Sequence, residues 1–285
     1  MPALASDMKK STGVRELIIK ALDEDIGPGD VTAQSVLAGN EKGNARAVAK
    51  SALVVAGLEV FSEVFDYVEG PIEVNALCND GDCIGPGDVI ARISGNLKGI
   101  LMAERVALNF IQRMSGIATL TSAFVDKVAG TGVRILDTRK TTPGLRILEK
   151  YAVKIGGGVN HRFGLYGGAM IKENHIAAAG GISEAVTRVK NQIPPTLKIE
   201  VEVKNLSEVK EALCAGVDIV MLDNMDVAEM IEAVQVIGTQ ALVEASGNVS
   251  LDNVREIAET GVDFISVGSL THSAPAADIS LLVDV

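Results

Sequence analysis

The chain has 285 residues, 47% of them hydrophobic, with a mean hydropathy of +0.28 and a formal net charge of -11, ample for a core in one large domain or two modest ones. A pI near 4.8, 3% aromatics and no Trp exclude nucleic acid and anionic membrane as partners, because phosphates would be repelled and bases would find few stacking surfaces. No apolar run approaches the roughly 20 residues that span a bilayer. The N-terminal MPALASDMKK lacks the apolar centre of a signal peptide, so the expectation is a soluble, cytoplasmic protein.

In chain order, Val14, Leu17, Ile18, Ala21 and Leu22 recur at helical spacing, and Gly27-Pro28-Gly29-Asp30 stops that helix. Residues 44–55 alternate or run apolar and read as strands, after which Leu58, Phe61, Val64, Phe65 and Val68 restore a helical stripe. Ile72–Leu77 and Asp88–Ile93 read as a hairpin around turn residues 79–87. Strands and helices in no repeating order make this an α+β region. Cys78, Cys83 and Cys214 form no zinc pattern; Cys78 and Cys83 flank a turn that a disulfide could close, but free thiols are the expectation in a reducing compartment. Lys98–Val128 is helical in pattern, with a break expected at Ser115-Gly116.

Beyond that helix the chain becomes regular. Six apolar strand candidates recur, at Arg134–Thr138, Ala169–Lys172, Lys198–Val203, Ile219–Asp223, Ala241–Ser246 and Phe264–Gly268. Helical patterns accompany them at Leu145–Val153, Ser207–Ala215, Val227–Val236 and Ser250–Thr260, the last with Ser250 as its cap. Strand, helix, strand at this spacing means parallel pairing with right-handed crossovers, in a short open barrel or a doubly wound sheet. The strand ends favour the barrel. They carry Asp137, Arg139 and Lys140, then Lys172, Glu202, Asp223, the Glu244–Asn248 segment and the Ser266–Ser269 segment, and inward barrel ends converge on one mouth.

The stretch from Lys98 to Lys172 holds twelve Lys/Arg against four Asp/Glu. A cationic patch in an acidic chain points to a small polyanion. The Gly/Ser-rich last two strand ends let backbone N–H groups approach a phosphate, and Glu202 with Asp223 could hold a Mg²⁺. Blander readings compete: Lys172 as a solvated strand-end lysine, Arg105 as a surface residue, His161 as a packed histidine. His175 and His272 read as structural, and Gly156-Gly157-Gly158 as a flexible helix exit.

LDTRKTTPG, GGGVNHRFGL, IKENH, IEVEV, MLDN, EASGNV and SVGSLTHS occur in an order that resembles the quinolinate phosphoribosyltransferases, and EDIGPGDVT with AERVALNFIQRMSGIAT extends the resemblance over nearly the whole chain. It implies an open six- or seven-stranded β/α barrel (about 116–270) preceded by an α+β sandwich-like domain (1–115), with a tail (271–285) returning to the N-terminal domain. The implied reaction joins quinolinate to phosphoribosyl diphosphate with loss of CO₂, using Mg²⁺ and no organic cofactor. A homodimer with a shared active site, or a larger homo-oligomer, is implied as well. By position, Arg105 (reaching across the dimer), Thr138, Arg139, Lys140, His161, Arg162 and Lys172 would line the substrate and diphosphate pocket. Glu202 and Asp223 would meet ribose and Mg²⁺, and Ser246, Gly247, Asn248, Val267, Gly268 and Ser269 the 5-phosphate. Lys140, Lys172, Glu202 and Asp223 are the implied catalytic groups. Tyr166-Gly167-Gly168 departs from the family pattern, where an acidic residue is common after Gly-Leu. A nicotinate-specific phosphoribosyltransferase, a Schiff-base aldolase using Lys172 or Lys140, and a non-catalytic anion-binding module are the rival readings.

Overall fold

The computed structural model describes residues 12–284, so the N-terminal decapeptide lies outside the described residues. The chain forms two compact units: one from residues through Leu120, 142–156 and 273 onward, the other from Thr121–Thr141 and Gly157–His272. The sequence boundary drawn at 115/116 falls inside a continuous helix, and residues 142–156, placed in the barrel on sequence, belong to the first unit.

In the first unit, helix α1 (Thr12–Ile26) buries the stripe Val14, Ile18 and Leu22 and gives way to left-handed Gly27. Asp30 caps α2 (Val31–Val36), accepting the N–H groups of Thr32 and Ala33 at 2.9 Å. Strands β1 (Lys42–Ala49), β2 (Leu53–Val54), β3 (Ile72–Ala76), β4 (Cys83–Ile84) and β5 (Val89–Asn96) follow, with α3 (Leu58–Val64) after β2. The hairpin partners β3 and β5 pair antiparallel, while β4, inside their connection, pairs with β2. The C-terminal strand β12 (Ile279–Asp284) completes a four-stranded sheet in the order β12-β1-β5-β3. Phe61 and Phe65 meet edge to face at 5.3 Å in its core. The three cysteines are free thiols.

Helix α4 (Leu97–Lys127) is unbroken, which corrects the break expected at Ser115-Gly116. Both residues serve close packing. The Ser115 hydroxyl accepts the Ala56 N–H at 3.0 Å, and a Cβ on Gly116 would sit 2.0 Å from the Pro275 carbonyl oxygen. Helix α5 (Arg146–Ile155) also belongs to this unit, and its buried Glu149 accepts from Arg113 Nη2 at 2.7 Å and from the Thr142 N–H at 3.0 Å.

The second unit alternates strand and helix. Its strands are β6 (Arg134–Leu136), β7 (Ala169–Ile171), β8 (Ile199–Val203), β9 (Ile219–Asp223), β10 (Leu242–Ser246) and β11 (Phe264–Ser266). Its remaining helices are α6 (Glu173–Ala179), α7 (Ile182–Lys190), α8 (Leu206–Ala215), α9 (Val227–Ile237), α10 (Val254–Ala258) and α11 (Ser269–His272). All six strands are parallel, in the order β6-β11-β10-β9-β8-β7. They follow chain order around an open barrel whose gap lies between β6 and β7. A single bridge from Val159 to Leu136 marks a vestigial seventh position on the free side of β6.

Local chemistry fixes the register. Asp218 accepts the Ile199 N–H that opens β8 at 2.7 Å, and Asp263 accepts that of Val243, the second residue of β10, at 2.8 Å. Asn205 and Asp226 cap α8 and α9. Ser250 is not a helix cap. Asn253 takes the Ser250 N–H at 2.8 Å, a turn forms, and α10 starts only at Val254. Along the strands Val201, Val203, Val220, Leu222, Val243 and Ala245 are buried on one face. The opposite face carries Met170, Lys172, Glu200, Glu202, Met221, Asp223, Glu244, Ser246 and Ser266.

Candidate active site

Most of that second face lines a cavity of about 500 Å³ at the carboxyl ends of the strands. Of the residues singled out on sequence, it brings together Thr138, Arg139, Lys140, His161, Arg162, Lys172, Glu202, Asp223, Ser246, Gly247 and Asn248. Four do not line it. Arg105 lies on α4 in the first unit, with its side chain 58% exposed and Glu104 at 4.0 Å. Val267 is buried in the core, Ser269 opens α11, and Gly268 packs where a Cβ would come within 3.0 Å of Lys140 Cδ.

Each cation is held by its backbone. The Thr138 hydroxyl accepts the Lys140 N–H at 3.0 Å, and the Thr271 hydroxyl donates to the Lys140 carbonyl at 2.8 Å, so the loop after β6 is tied down on both sides. Asp137, fully buried at the end of β6, accepts from the Asn160 amide at 2.6 Å and from the His161 N–H at 2.9 Å. That carboxylate carries the His161-Arg162 segment toward the mouth. Arg162 Nη1 donates to the Gly168 carbonyl at 2.9 Å. Burial and the nearby Arg139 guanidinium pull the Arg162 pKa below its ordinary value. Two guanidinium groups therefore repel one another in this cavity, and an anion between them would relieve that repulsion.

Lys172 caps α6, its N–H donating to His175 Nδ1 at 3.0 Å, and its ammonium forms an ion pair with Glu202. This gives His175 the structural role expected of it. Asp223 Oδ1 accepts from the Asn224 amide at 3.0 Å.

Beneath the rim, His161 Nε2 lies 3.2 Å from Glu200 and 3.4 Å from Glu244, both almost fully buried. Burial lowers the His161 pKa, but the two carboxylates outweigh it and raise the value to about 9. One contact opposes the shift. His161 Nδ1 accepts the Arg162 N–H at 2.7 Å, a bond the ring makes only when Nδ1 is unprotonated. Burial raises the Glu200 pKa, with Glu244 adding to it and His161 opposing. These three groups also have the spacing of a metal site, their ligand atoms lying within 4.8 Å of one another. An imidazole already donating to both carboxylates fills that role without an ion.

Glu200, Met170, Met221 and Asn224 belong to the site and escaped the sequence reading, while Glu244 and Ser266 were read as polar strand ends but given no role in the site. For the glutamates a signal existed: each is an acid flanked by apolar residues inside a strand, Ile199-Glu200-Val201 and Val243-Glu244-Ala245. For Met170 and Met221 nothing in the pattern distinguishes a cavity wall from core.

Comparison with known proteins agrees with this geometry. Residues 30–115 match the N-terminal domain and residues 117–282 the C-terminal domain of quinolinate phosphoribosyl transferase. A Synechocystis sp. protein named as a probable carboxylating nicotinate-nucleotide pyrophosphorylase is 45% identical over 265 residues, covering 92% of this chain and 90% of its own. The chloroplastic carboxylating nicotinate-nucleotide pyrophosphorylase of Arabidopsis thaliana is 44% identical over 290 residues, covering 95% and 83%. The solved nicotinate-nucleotide pyrophosphorylase of Francisella tularensis superposes with a TM-score of 0.92 at 41% identity, covering 95% of this chain and 96% of that one. With both domains matched and nearly the whole length shared, the chain belongs to the quinolinate phosphoribosyltransferase family.

Proposed function

We propose that the protein transfers the phosphoribosyl group of phosphoribosyl diphosphate to quinolinate, with decarboxylation, giving nicotinate mononucleotide, CO₂ and diphosphate for NAD biosynthesis. The single observation that carries this reading within the family is the cluster of Arg139, Lys140, Arg162 and Lys172 around one cavity in a chain of net charge -11. Quinolinate brings two adjacent carboxylates and the donor brings a diphosphate and a monophosphate, so fixed cations are the main requirement. Each close pair contributes up to about 4 kcal/mol at an effective dielectric near 20, before desolvation is subtracted.

In this reading Arg139, Arg162 and His161 grip the pyridine carboxylates over a floor that includes Met170 and Met221, while Lys140 and Lys172 face the diphosphate. Ser246, Gly247 and Asn248, with the backbone of the 267–269 turn, face the 5-phosphate. The ring nitrogen forms its bond to the ribose anomeric carbon as the bond to diphosphate breaks. The positive ring nitrogen so formed stabilises the electron pair left on the neighbouring carbon when its carboxylate departs as CO₂, and that carbon then takes up a proton. Positioning and charge stabilisation carry the reaction, without an organic cofactor. Glu202 and Asp223 fit a Mg²⁺ bound jointly with the diphosphate, since such ions take one or two carboxylates plus phosphate oxygens; the ion would neutralise the leaving group. Glu202, now paired with Lys172, would be free to hold the ion once that ammonium faced the diphosphate.

We also infer a homodimer in which Arg105 completes the partner's site, supported by the exposure of that guanidinium in the first unit. Mixing Arg105→Ala with Lys172→Ala restores activity through hybrid dimers if so; no recovery despite subunit exchange counts against a shared site. Among the described residues no helix is long and apolar enough to cross a membrane, in keeping with a cytoplasmic enzyme.

The deciding assay supplies carboxyl-labelled quinolinate, phosphoribosyl diphosphate and Mg²⁺. Release of labelled CO₂ with nicotinate mononucleotide is the expected result. Turnover of nicotinate in place of quinolinate, with no CO₂, would show a different phosphoribosyltransferase.

A further inference from the structure

The carboxyl ends of β9 and β10 hold an arrangement that the charge pattern does not account for. Among the described residues only Asn224 and Asn248 adopt positive φ without being glycine, at 55° and 49°. They occupy neighbouring strand ends on the wall of the cavity. Left-handed backbone is mildly unfavourable even for Asn, so two such residues in contact are held there by their surroundings.

Those surroundings are specific. The Asn224 N–H donates to the Ser246 carbonyl at 2.9 Å, extending the β9–β10 ladder by one rung. Its side-chain amide then points in two directions: Nδ2 donates to Asp223 Oδ1 at 3.0 Å, and Oδ1 accepts from Asn248 Nδ2 at 2.9 Å. Gly247 lies beneath this amide, at φ +99°, and a Cβ there would fall 2.2 Å from Asn224 Oδ1. From the other side Asn253 Nδ2 donates to the Asn248 carbonyl at 3.0 Å. One amide thus ties a carboxylate on one strand to the loop that ends the next, and glycine at 247 gives it room.

We propose that Asn224 is a positioning residue that holds the Asp223 carboxylate and the Gly247–Asn248 loop as one rigid wall, and thereby sets affinity for the phosphoribosyl donor. The inference rests on the functional reading above, in which Asp223 meets the ribose end of that donor and the 246–248 loop its 5-phosphate. Asn224 acts through both and leaves the pyridine subsite, on the β6–β7 side, untouched. The donor spans the two tethered groups, so loosening the tether makes binding itself order them.

Asn224→Gly tests this cleanly, because glycine is at ease at this φ and the residue is exposed, so only the amide is lost. The Kd for phosphoribosyl diphosphate, by calorimetry, and its KM should rise about tenfold, the scale of one hydrogen bond to a charged group. The KM for quinolinate should stay constant and kcat fall less than about threefold. Gly247→Ala, which pushes the amide out from beneath, should show the same donor-selective loss, and the double variant should be no worse than Gly247→Ala alone. An unchanged donor Kd in Asn224→Gly, an equal rise in both KM values, or additive losses would overturn the inference. If the unsubstituted protein neither binds nor consumes the donor, the functional reading fails and this one with it, a result distinguishable because it needs no substitution.

Discussion

Two buried charge clusters, one in each unit, differ in what they leave over. In the first unit both oxygens of Glu149 are engaged, one by the Arg113 guanidinium and the other by the Thr142 N–H. In the second, Glu200 and Glu244 share the single His161 Nε2, and the second oxygen of each has no hydrogen-bond partner. The first cluster is closed and consumes its charge in holding the chain together. The second is open at those two carboxylate oxygens, and near it Arg139 and Arg162 are close enough to oppose one another. Bonding capacity left unspent in a buried place is what separates a binding site from a structural ion pair.

That contrast can be broken in graded ways. Removing a cation from the open side, by Arg139→Ala or Lys172→Ala, should cut nicotinate mononucleotide formation by roughly a thousandfold or more, with the thermal midpoint preserved. Wild-type-like turnover in either variant would remove that residue from the site. On the closed side the effects exchange: Glu149→Ala leaves Arg113 facing a buried void and should lower stability by about 3 kcal/mol in urea unfolding, the low end for a broken buried pair because Arg113 is partly exposed.

A smaller effect is tied to pH. A raised His161 pKa stabilises the fold fully below the ordinary value of 6.5, and that contribution is lost as pH rises toward about 9. Quinolinate affinity should weaken as pH rises through about 9, by up to about tenfold per pH unit above it, because the imidazolium is the form that pairs with a carboxylate. An NMR titration in which His161 changes charge below 6.5 would refute the shift. The smallest effect belongs to the surface: Arg46 pairs with Asp284 at 2.9 Å in the open, and Arg46→Ala should leave the thermal midpoint unresolved from wild type.

What the sequence made legible follows from the physics of each group. Arg139, Lys140, Lys172 and Asp223 stand at the ends of apolar runs, where charge interrupts a pattern, and these positions converge in the structure. Glu200 was hidden because a polar residue within a strand is ordinarily solvent-facing, whereas a barrel turns that face inward; Glu244 showed as a polar strand end, but not as the partner of a buried histidine. Ser115-Gly116 suggested a helix break by propensity, but tertiary packing against Ala56 and Pro275 gives both residues a reason to sit within a helix. The Asn224–Asn248 pair was illegible for a different reason: its meaning lies in backbone dihedral angles, which leave no periodic trace.

The C-terminal strand carries a consequence for how this protein comes into being. Arg46 on β1 and Asp284 on β12 pair across 238 positions, so on the ribosome β1 waits for its neighbour until the entire barrel has been made. During synthesis one margin of the first sheet stays bare, a surface prone to sticking to other nascent chains, and the six residues of β12 act as its cover. A stop codon that spared every residue of the cavity but removed β12 would therefore yield aggregate in place of a weakened enzyme.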